Sequence, residues 1–272
     1  MRAAVLVTIL IGLCGMGSAQ KVQFNPTNKT ELLDRLKEMP QTDQERAARI
    51  KALFAAEGCT GRLLREQPVE GASGPNVICE LHGDREESVV VGAHYDQAAT
   101  ADRPIDNWSA ASLLPALYHS LRDRKRRHSF IFVAFADRGV DLSGAGSFVG
   151  HLNPSELEHV VAMVDLDVLG LSPTKVWSSH SNKELVQNLV TMVYALKLPA
   201  SQIDMERAGA TDSDAFARQQ IPTITIHSMT EANLAGGTAT AFRPDTYYDT
   251  YRLLCGYLAY LDVALKARPH QE

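Results

Sequence analysis

Imidazole and carboxylate side chains stand at the ends of three apolar segments, each of the length of a β-strand. The pairs that follow or end these segments are His94 with Asp96, Asp137 with Arg138, and Asp165 with Asp167. Imidazole together with carboxylates suits zinc, and a carboxylate can bridge two ions about 3.5–4 Å apart. A lone histidine at a strand end is more often only hydrogen-bonded, and a lone aspartate more often caps a helix. In combination, however, His94, Asp96, the aspartate twelve residues after His94 (Asp106) and an aspartate that ends another strand predict a divalent metal site.

Apolar segments of strand length alternate with amphipathic helices, and these elements must position the polar pairs. Strands are predicted at residues 62–67, 76–81, 88–93, 129–136, 160–168, 175–178 and 223–227. Helices are predicted at 110–122, 183–196, 245–266 and, as two helices broken near Pro40, within 28–57. Apolar strands that alternate with helices indicate a mostly parallel mixed sheet with helices on both faces, an α/β three-layer sandwich. Ligands of such sheets bind beyond the carboxyl ends of the central strands, where the polar pairs are expected.

Composition limits the classes of protein to which the chain can belong. Its 272 residues predict one domain with a sizeable core, and 45% hydrophobic with 22% charged residues is typical of a globular protein rather than a polytopic membrane protein. The formal net charge of −5 gives no general attraction for polyanions, so nucleic acid is not an expected partner.

The N-terminus has the composition of a secretory signal peptide. Arg2 precedes an apolar stretch at 3–12, and the small residues Gly17 and Ala19 come just before Gln20. Residues 1–19 are therefore predicted to be a cleaved signal, and 20–272 a single domain that is secreted or periplasmic and has no membrane span. A retained N-terminal anchor is the alternative.

Three cysteines remain after the predicted signal: Cys59, Cys79 and Cys255. Because this count is odd, at least one thiol stays free or pairs between chains. A Cys59–Cys79 bond is one option that the sequence leaves open. The absence of any CxxC spacing excludes a zinc ribbon or a thioredoxin-type centre.

Five segments resemble a known family in their order and spacing. They are VVVGAHYDQ (89–97), IDNWSAASLL (105–114), FVAFADRGVDLSGAGSFV (132–149), MVDLDVLG (163–170) and TDSDAFARQQIPTITIH (211–227). Together they resemble metallopeptidase family 28, which contains bacterial dizinc aminopeptidases, glutaminyl cyclases, glutamate carboxypeptidase and the non-catalytic ectodomain of the transferrin receptor. The resemblance covers about residues 75–265 and implies the fold of the zinc aminopeptidases.

The resemblance implies a ligand set for one zinc ion. His94 matches the family's metal-binding histidine, and Asp96 matches the carboxylate that orients it. Asp106 matches the carboxylate that bridges both ions, and Asp167 matches the ligand that shares an ion with the histidine.

The residues for the second ion depart from the family pattern. Where the family has a general-base glutamate and a ligand glutamate, this chain has Arg138 and Gly139. The family's C-terminal ligand histidine falls at Asn233, or at Asp245 in the other possible alignment, and neither is a histidine. A guanidinium cannot accept a proton from water and repels a nearby divalent ion, and glycine has no side-chain ligand atom.

Two local rearrangements remain open at this point. A shift in register could bring Asp137 or Asp141 toward the metal in place of the lost glutamates. Alternatively, Arg138 could pair with Asp106, Asp167 or Asp137, so that a salt bridge replaces the metal. We therefore expect at most one zinc ion, and none if the salt bridge forms.

The resulting functional prediction is an exported peptidase-like domain with impaired or lost hydrolysis, whose cleft binds a peptide or protein. The alternatives are a working exopeptidase that releases N-terminal residues, a purely binding protein and, ranked last, a single-zinc glutaminyl cyclase. Asp212 lies in a segment that is near the family's substrate pocket, so it is predicted either to line the cleft or to cap a helix. Five histidines match no ligand position and are predicted to be structural or exposed: His119, His128, His151, His159 and His227.

Overall fold

Ten β-strands form two sheets in this computed structural model, which describes residues 6–11, 20–96, 107–136, 143–203, 210–230 and 241–266. The strands are β1 (Val7–Ile11), β2 (Gln20–Phe24), β3 (Leu64–Gln67), β4 (Asn76–Leu81), β5 (Ser88–His94), β6 (Ser129–Phe135), β7 (Val160–Leu166), β8 (Thr174–Trp177), β9 (Ala200–Ile203) and β10 (Thr223–His227). The first two pair with each other, and the other eight form one mixed sheet in the order β3-β4-β6-β5-β7-β10-β8-β9.

The centre of the large sheet is parallel. Strands β6, β5, β7 and β10 run in the same direction, whereas β4 and β8 are antiparallel to their inner neighbours. The predicted mostly parallel mixed sheet is therefore confirmed. Because the four central strands are parallel, their carboxyl ends meet at one edge of the sheet, and the site described below is built at that edge.

Nine described helices accompany the strands. They are α1 (Lys29–Lys37), α2 (Asp43–Ala56), α3 (Trp108–Ala111), α4 (Leu114–Arg122), α5 (Ser143–Gly150), α6 (Pro154–His159), α7 (Lys183–Leu196), α8 (Ser213–Ala217) and α9 (Pro244–Ala264). The single helix predicted at 110–122 is two helices, because Pro115 in the first turn of α4 has no N–H to continue the preceding hydrogen-bond ladder. None of the described helices is long and apolar enough to cross a membrane.

The sheet separates two apolar clusters, as alternating residues of a doubly covered strand require. Val89 and Val91 of β5 face a large cluster that takes in residues of α1, α2, α4, α7 and α9. Val90 faces a smaller cluster with residues of α5 and α8. The chain is thus a three-layer α/β sandwich, as predicted.

A disulfide bond joins Cys59, which follows α2, to Cys79 in β4. Both cysteines are buried, and their Cα atoms are 6.3 Å apart. Closing a loop of this sequence separation, 20 residues, stabilises the folded state by about 3 kcal/mol in the chain-entropy description. Cys255 is a free cysteine, and burial raises the pKa of its thiol to about 12, so it is not a reactive group.

Strand β1 lies within the predicted signal peptide. It pairs antiparallel with β2, in register from Val7 opposite Phe24 to Ile11 opposite Gln20. Val22 and Phe24 of β2 are buried in the large apolar cluster, whereas Leu10 of β1 is 70% exposed. Strand β2 therefore belongs to the core of the domain, and cleavage before Gln20 stays a prediction.

Candidate functional site

Three adjacent strands place His94, Asp167 and His227 in one row at the carboxyl edge of the sheet. Gly92 of β5 is in register with Asp165 of β7, and Leu166 of β7 with Ile226 of β10. The ladder continues beyond these pairs, since the Asp167 amide donates to the Ile226 carbonyl at 3.0 Å. Neighbouring residues of a row lie on the same face, so the three side chains meet on the side of the sheet covered by α5 and α8.

A hydrogen bond to Asp212 fixes the His94 ring. Nδ1 of His94 donates to Oδ2 of Asp212 at 3.0 Å, and both side chains are buried. The Nδ1 proton therefore faces a carboxylate, and Nε2 is the nitrogen that can bind a metal ion. This Nε2 lies 4.0 Å from Oδ1 of Asp167. Asp212 precedes α8 but makes no side-chain capping bond there, and its carboxylate bonds His94 instead. Its predicted place in the substrate cleft stays a prediction.

A third carboxylate, that of Asp165, lies beneath this pair. Its Oδ2 accepts bonds from the Ser213 amide and the Thr225 hydroxyl, both at 3.3 Å. Burial, followed by the charges of Asp212 and Asp167, raises the pKa of Asp165 to about 8, although His94 acts in the opposite direction. Three carboxylates in one buried space attract positive charge, which a metal ion or protons can supply.

Helix α2 holds the chain that leaves β5. Arg46 is 1% exposed, and its Nη1 donates to the main-chain oxygens of Tyr95 at 3.0 Å and Asp96 at 3.2 Å. The Asn107 side-chain amide also donates to the Asp96 oxygen at 2.9 Å. The segment that follows His94 is therefore fixed from two sides. The carboxylate that bonds Nδ1 of His94 is that of Asp212. An orienting role for the Asp96 carboxylate, which the resemblance implies, stays a prediction.

His94 and Asp167 fit a zinc ion. Zinc–nitrogen and zinc–oxygen bonds are about 2.0–2.2 Å long, so two ligand atoms of a tetrahedral ion lie about 3.4 Å apart. The separation of 4.0 Å is about half an ångström wider, which a small side-chain rotation closes, and a carboxylate on the far nitrogen is the usual partner of a ligating histidine. Within the described ranges, no group of three or more His, Cys, Asp or Glu side chains is arranged to hold a metal. Asp106, the third predicted ligand, lies outside the described residues, as do Arg138, Gly139 and Asn233.

His227 was predicted to be structural or exposed, and it proves to be buried at the site. Its side chain is fully buried, its Nδ1 accepts a bond from the Met229 amide at 3.1 Å, and burial lowers its pKa to about 4. The sequence carried a signal that could have found it. His227 ends a predicted strand, as His94 does, and the carboxyl ends of parallel strands share an edge.

Replacement of Asp212 by asparagine is expected to weaken zinc binding by about 10–100-fold, which is the usual effect of losing the partner of a ligating histidine. The asparagine amide oxygen is a weaker acceptor than a carboxylate for the His94 Nδ1–H group. The substitution also removes one negative charge near the ion. The measurement is a competitive zinc titration against a chelator. The matched control is Asp214→Asn, because Asp214 is two residues away and bonds His180 at 2.9 Å instead of His94. Equal losses in both variants would contradict the assigned role.

Comparison with known proteins gives a family and a set of similar folds. The model of Peptidase family M28 matches residues 76–253. The LapA aminopeptidase of Legionella pneumophila has a TM-score of 0.70 at 15% identity, covering 88% of this chain and 71% of that one. The glutaminyl cyclase of Porphyromonas gingivalis has a TM-score of 0.65 at 17% identity, covering 85% and 96%.

A zinc aminopeptidase from Bacillus subtilis, BSAP, has a TM-score of 0.60 at 16% identity, and the match covers 72% of this chain and 52% of that one. No curated protein matches the sequence. At these identities the solved structures show a shared fold.

Proposed function

The chain belongs to peptidase family M28, and from this premise we propose that it is an exported domain of the family that keeps the cleft and at most one zinc ion. Its peptide hydrolysis is impaired or lost, and it acts by binding a peptide or protein ligand. The proposal rests on which side chains the chain provides at the carboxyl edge of the sheet.

The register of β6 against β5 is the observation that carries this proposal. Phe135 of β6 is paired with His94 of β5, so the chain leaves β6 beside the His94 side chain. The residues that follow in sequence include Arg138 and Gly139, where the family resemblance gives the two glutamates. A permanently protonated guanidinium cannot take a proton from water, and it opposes a second divalent ion.

Among the described residues, the carboxylates of Asp212 and Asp165 do not replace the lost base. Asp212 is 1% exposed and engaged with His94, and Asp165 is 1% exposed and engaged with Ser213 and Thr225. A general base must be within hydrogen-bond reach of the water that it activates. Buried carboxylates committed to protein donors do not meet that requirement.

The proposed ion binds His94 and Asp167, with Asp106 as the third predicted ligand. Zinc bound there would polarise a carbonyl group of the ligand. Asp212 would hold the His94 ring during binding, and Arg46 would hold the chain after it. A site of this kind can fix a peptide without cutting it.

The disulfide supports the proposed export. Cys59–Cys79 is a buried bond between two elements of the domain, and such bonds persist in oxidising compartments and are rare in the cytosol. The composition of residues 1–19 points the same way. Secretion or residence in a periplasm is therefore part of the proposal.

An active zinc exopeptidase is the second candidate, and the likeness to the LapA aminopeptidase favours it. The match to a glutaminyl cyclase covers a larger share of the neighbour's chain than the match to LapA does. The family resemblance implies, however, that cyclases hold their zinc ion with an Asp, a Glu and a His. This chain lacks the Glu and His, which ranks a cyclase below the other two.

Metal stoichiometry tests the proposal first. We expect elemental analysis of residues 20–272, purified with zinc and dialysed against metal-free buffer, to give one zinc ion per chain or none. Asp167→Asn is expected to give none, which ties any bound ion to the described pair. Two tightly held ions, together with metal-dependent release from aminoacyl anilides, would contradict the proposal and establish the exopeptidase.

A further inference from the structure

The row of side chains at the carboxyl edge continues past His227 to Lys175. His227 of β10 is paired with Lys175 of β8, and residues directly opposite in an antiparallel pair have their side chains on the same face. The Lys175 ammonium donates to the Met229 oxygen at 2.7 Å, which places it beside the end of β10. Across four adjacent strands the row therefore reads His94, Asp167, His227 and Lys175.

The His227 ring presents an N–H group in this row. Because Nδ1 accepts a bond from the Met229 amide, the single proton of the neutral ring is on Nε2. His227 is therefore a hydrogen-bond donor and not a metal ligand.

This N–H has no hydrogen-bond partner within the part of the chain that the structure describes, although the side chain is fully buried. A buried donor left without an acceptor costs about 1–3 kcal/mol of free energy. A ligand that offers an acceptor to this N–H group removes that cost and therefore binds more tightly. The neighbouring ammonium of Lys175 selects among acceptors. A carboxylate gains both a charge-assisted bond and attraction to the lysine, whereas an amide oxygen gains only a neutral bond.

Distances along the row indicate which carboxylate fits. Neighbouring strands are about 4.8 Å apart, so His227 lies about one spacing from Asp167 and Lys175 about two. A glutamyl side chain carries its carboxyl carbon about 5 Å from the main-chain carbonyl carbon, which is four bonds away. A residue whose carbonyl lies at the zinc position can therefore reach His227 and Lys175 with its side chain.

We propose that His227 and Lys175 form a carboxylate-binding subsite, and that the peptide bound in the cleft carries a glutamyl residue next to the zinc position. This inference rests on the proposed function, because it names the class of peptide that the cleft takes.

The test compares the peptides Glu-Ala-Ala and Gln-Ala-Ala, which differ in charge and hardly in shape. Dissociation constants are measured by calorimetry on residues 20–272 with one equivalent of zinc. The unsubstituted protein is expected to bind the glutamyl peptide about tenfold more tightly or better. Lys175→Met is expected to reduce this ratio to about twofold, because it removes the positive charge that favours the carboxylate over the amide. Since it also removes the bond to the Met229 oxygen, the readout is the ratio of the two affinities within each protein. His227→Phe is expected to reduce the ratio as well, because it keeps a ring and removes the donor.

The control is Lys183→Met, an exposed lysine at the start of α7 that is not in the row. It is expected to keep the full ratio. Equal affinities for the two peptides, a ratio that survives in Lys175→Met, or no binding of either peptide at millimolar concentration would each overturn the subsite. If the peptides are hydrolysed, the proposed loss of activity is wrong, and the ratio of the two kcat/KM values then tests the subsite separately.

Discussion

Replacement of Arg138 by glutamate is expected to raise the rate of aminoacyl anilide hydrolysis in the presence of zinc by about 10²–10⁴-fold. That range is the usual contribution of a general base, and the family resemblance implies that Arg138 is at the base position. The resemblance also implies that the substitution exchanges a cation for an anion next to the metal ligands, so zinc affinity is expected to rise. The measurement is kcat/KM for a leucyl anilide together with the zinc dissociation constant of each variant.

Arg138→Gln separates the two effects, because glutamine removes the positive charge and cannot serve as the base. This variant is expected to bind zinc more tightly than the unsubstituted chain and to remain as inactive. Equal rates for Arg138→Glu and Arg138→Gln would show that charge alone limits the reaction. A fast unsubstituted protein that neither variant improves would show that Arg138 is not at the base position.

The central layer of the fold could be predicted because its signals are local. Residues 183–196 and 223–227 were predicted as a helix and a strand, and both have those bounds in the structure. Long apolar runs make the parallel strands readable without knowledge of their neighbours. The break between α3 and α4 was missed although Pro115 marks it, because the apolar periodicity continues through both helices.

Other short elements were missed for a different physical reason, although the four-residue strands β3 and β8 were predicted. Helix α8 has five residues and β9 has four, and too few residues show a period in such segments. Their boundaries depend on tertiary contacts. Helix α6 did carry a signal, since Asn153 and Glu156 form a capping box around Pro154.

The sequence could predict which polar residues lie at the end of each strand, but not which side chains contact each other across the site. The sequence placed His94 and Asp167 at one edge, and the structure brings their side chains to 4.0 Å. The bond between His94 and Asp212 joins residues 118 positions apart, and no periodicity or spacing encodes such a pair. Arg46 is a further case, because it acts on the site from a helix that precedes the matched region of residues 76–253.

A buried ion cluster that joins α1, α2 and α4 is expected to make the domain sensitive to acid. Glu57, just after α2, is 4% exposed and accepts bonds from Arg35 of α1 and from His119 and Arg122 of α4, so it joins three helices. Burial alone would raise the pKa of Glu57, but the bonds and charges of His119 and Arg35 outweigh it and lower the pKa to about 2.

Because the folded pKa of Glu57 is below the unfolded value of 4.5, its contribution is fully present above about pH 4.5. As the pH falls from about 4.5 toward 2, the unfolded state binds the proton first, and about 3 kcal/mol of stability is lost. Urea unfolding of the unsubstituted chain at pH 7 and pH 3 is expected to show this loss in part.

Glu57→Gln is expected to lower the free energy of unfolding at pH 7 by about 3 kcal/mol, because the largely buried Arg35 loses one of its two carboxylate partners and keeps only Glu31. The variant should also lose the part of the acid sensitivity that Glu57 causes. Glu80→Gln is the control, since Glu80 pairs with the exposed Arg65 at 3.1 Å and such pairs are worth at most about 1 kcal/mol. A cost for Glu57→Gln no larger than that of the control, or an unchanged difference between pH 7 and pH 3, would show that the cluster does not hold the three helices together.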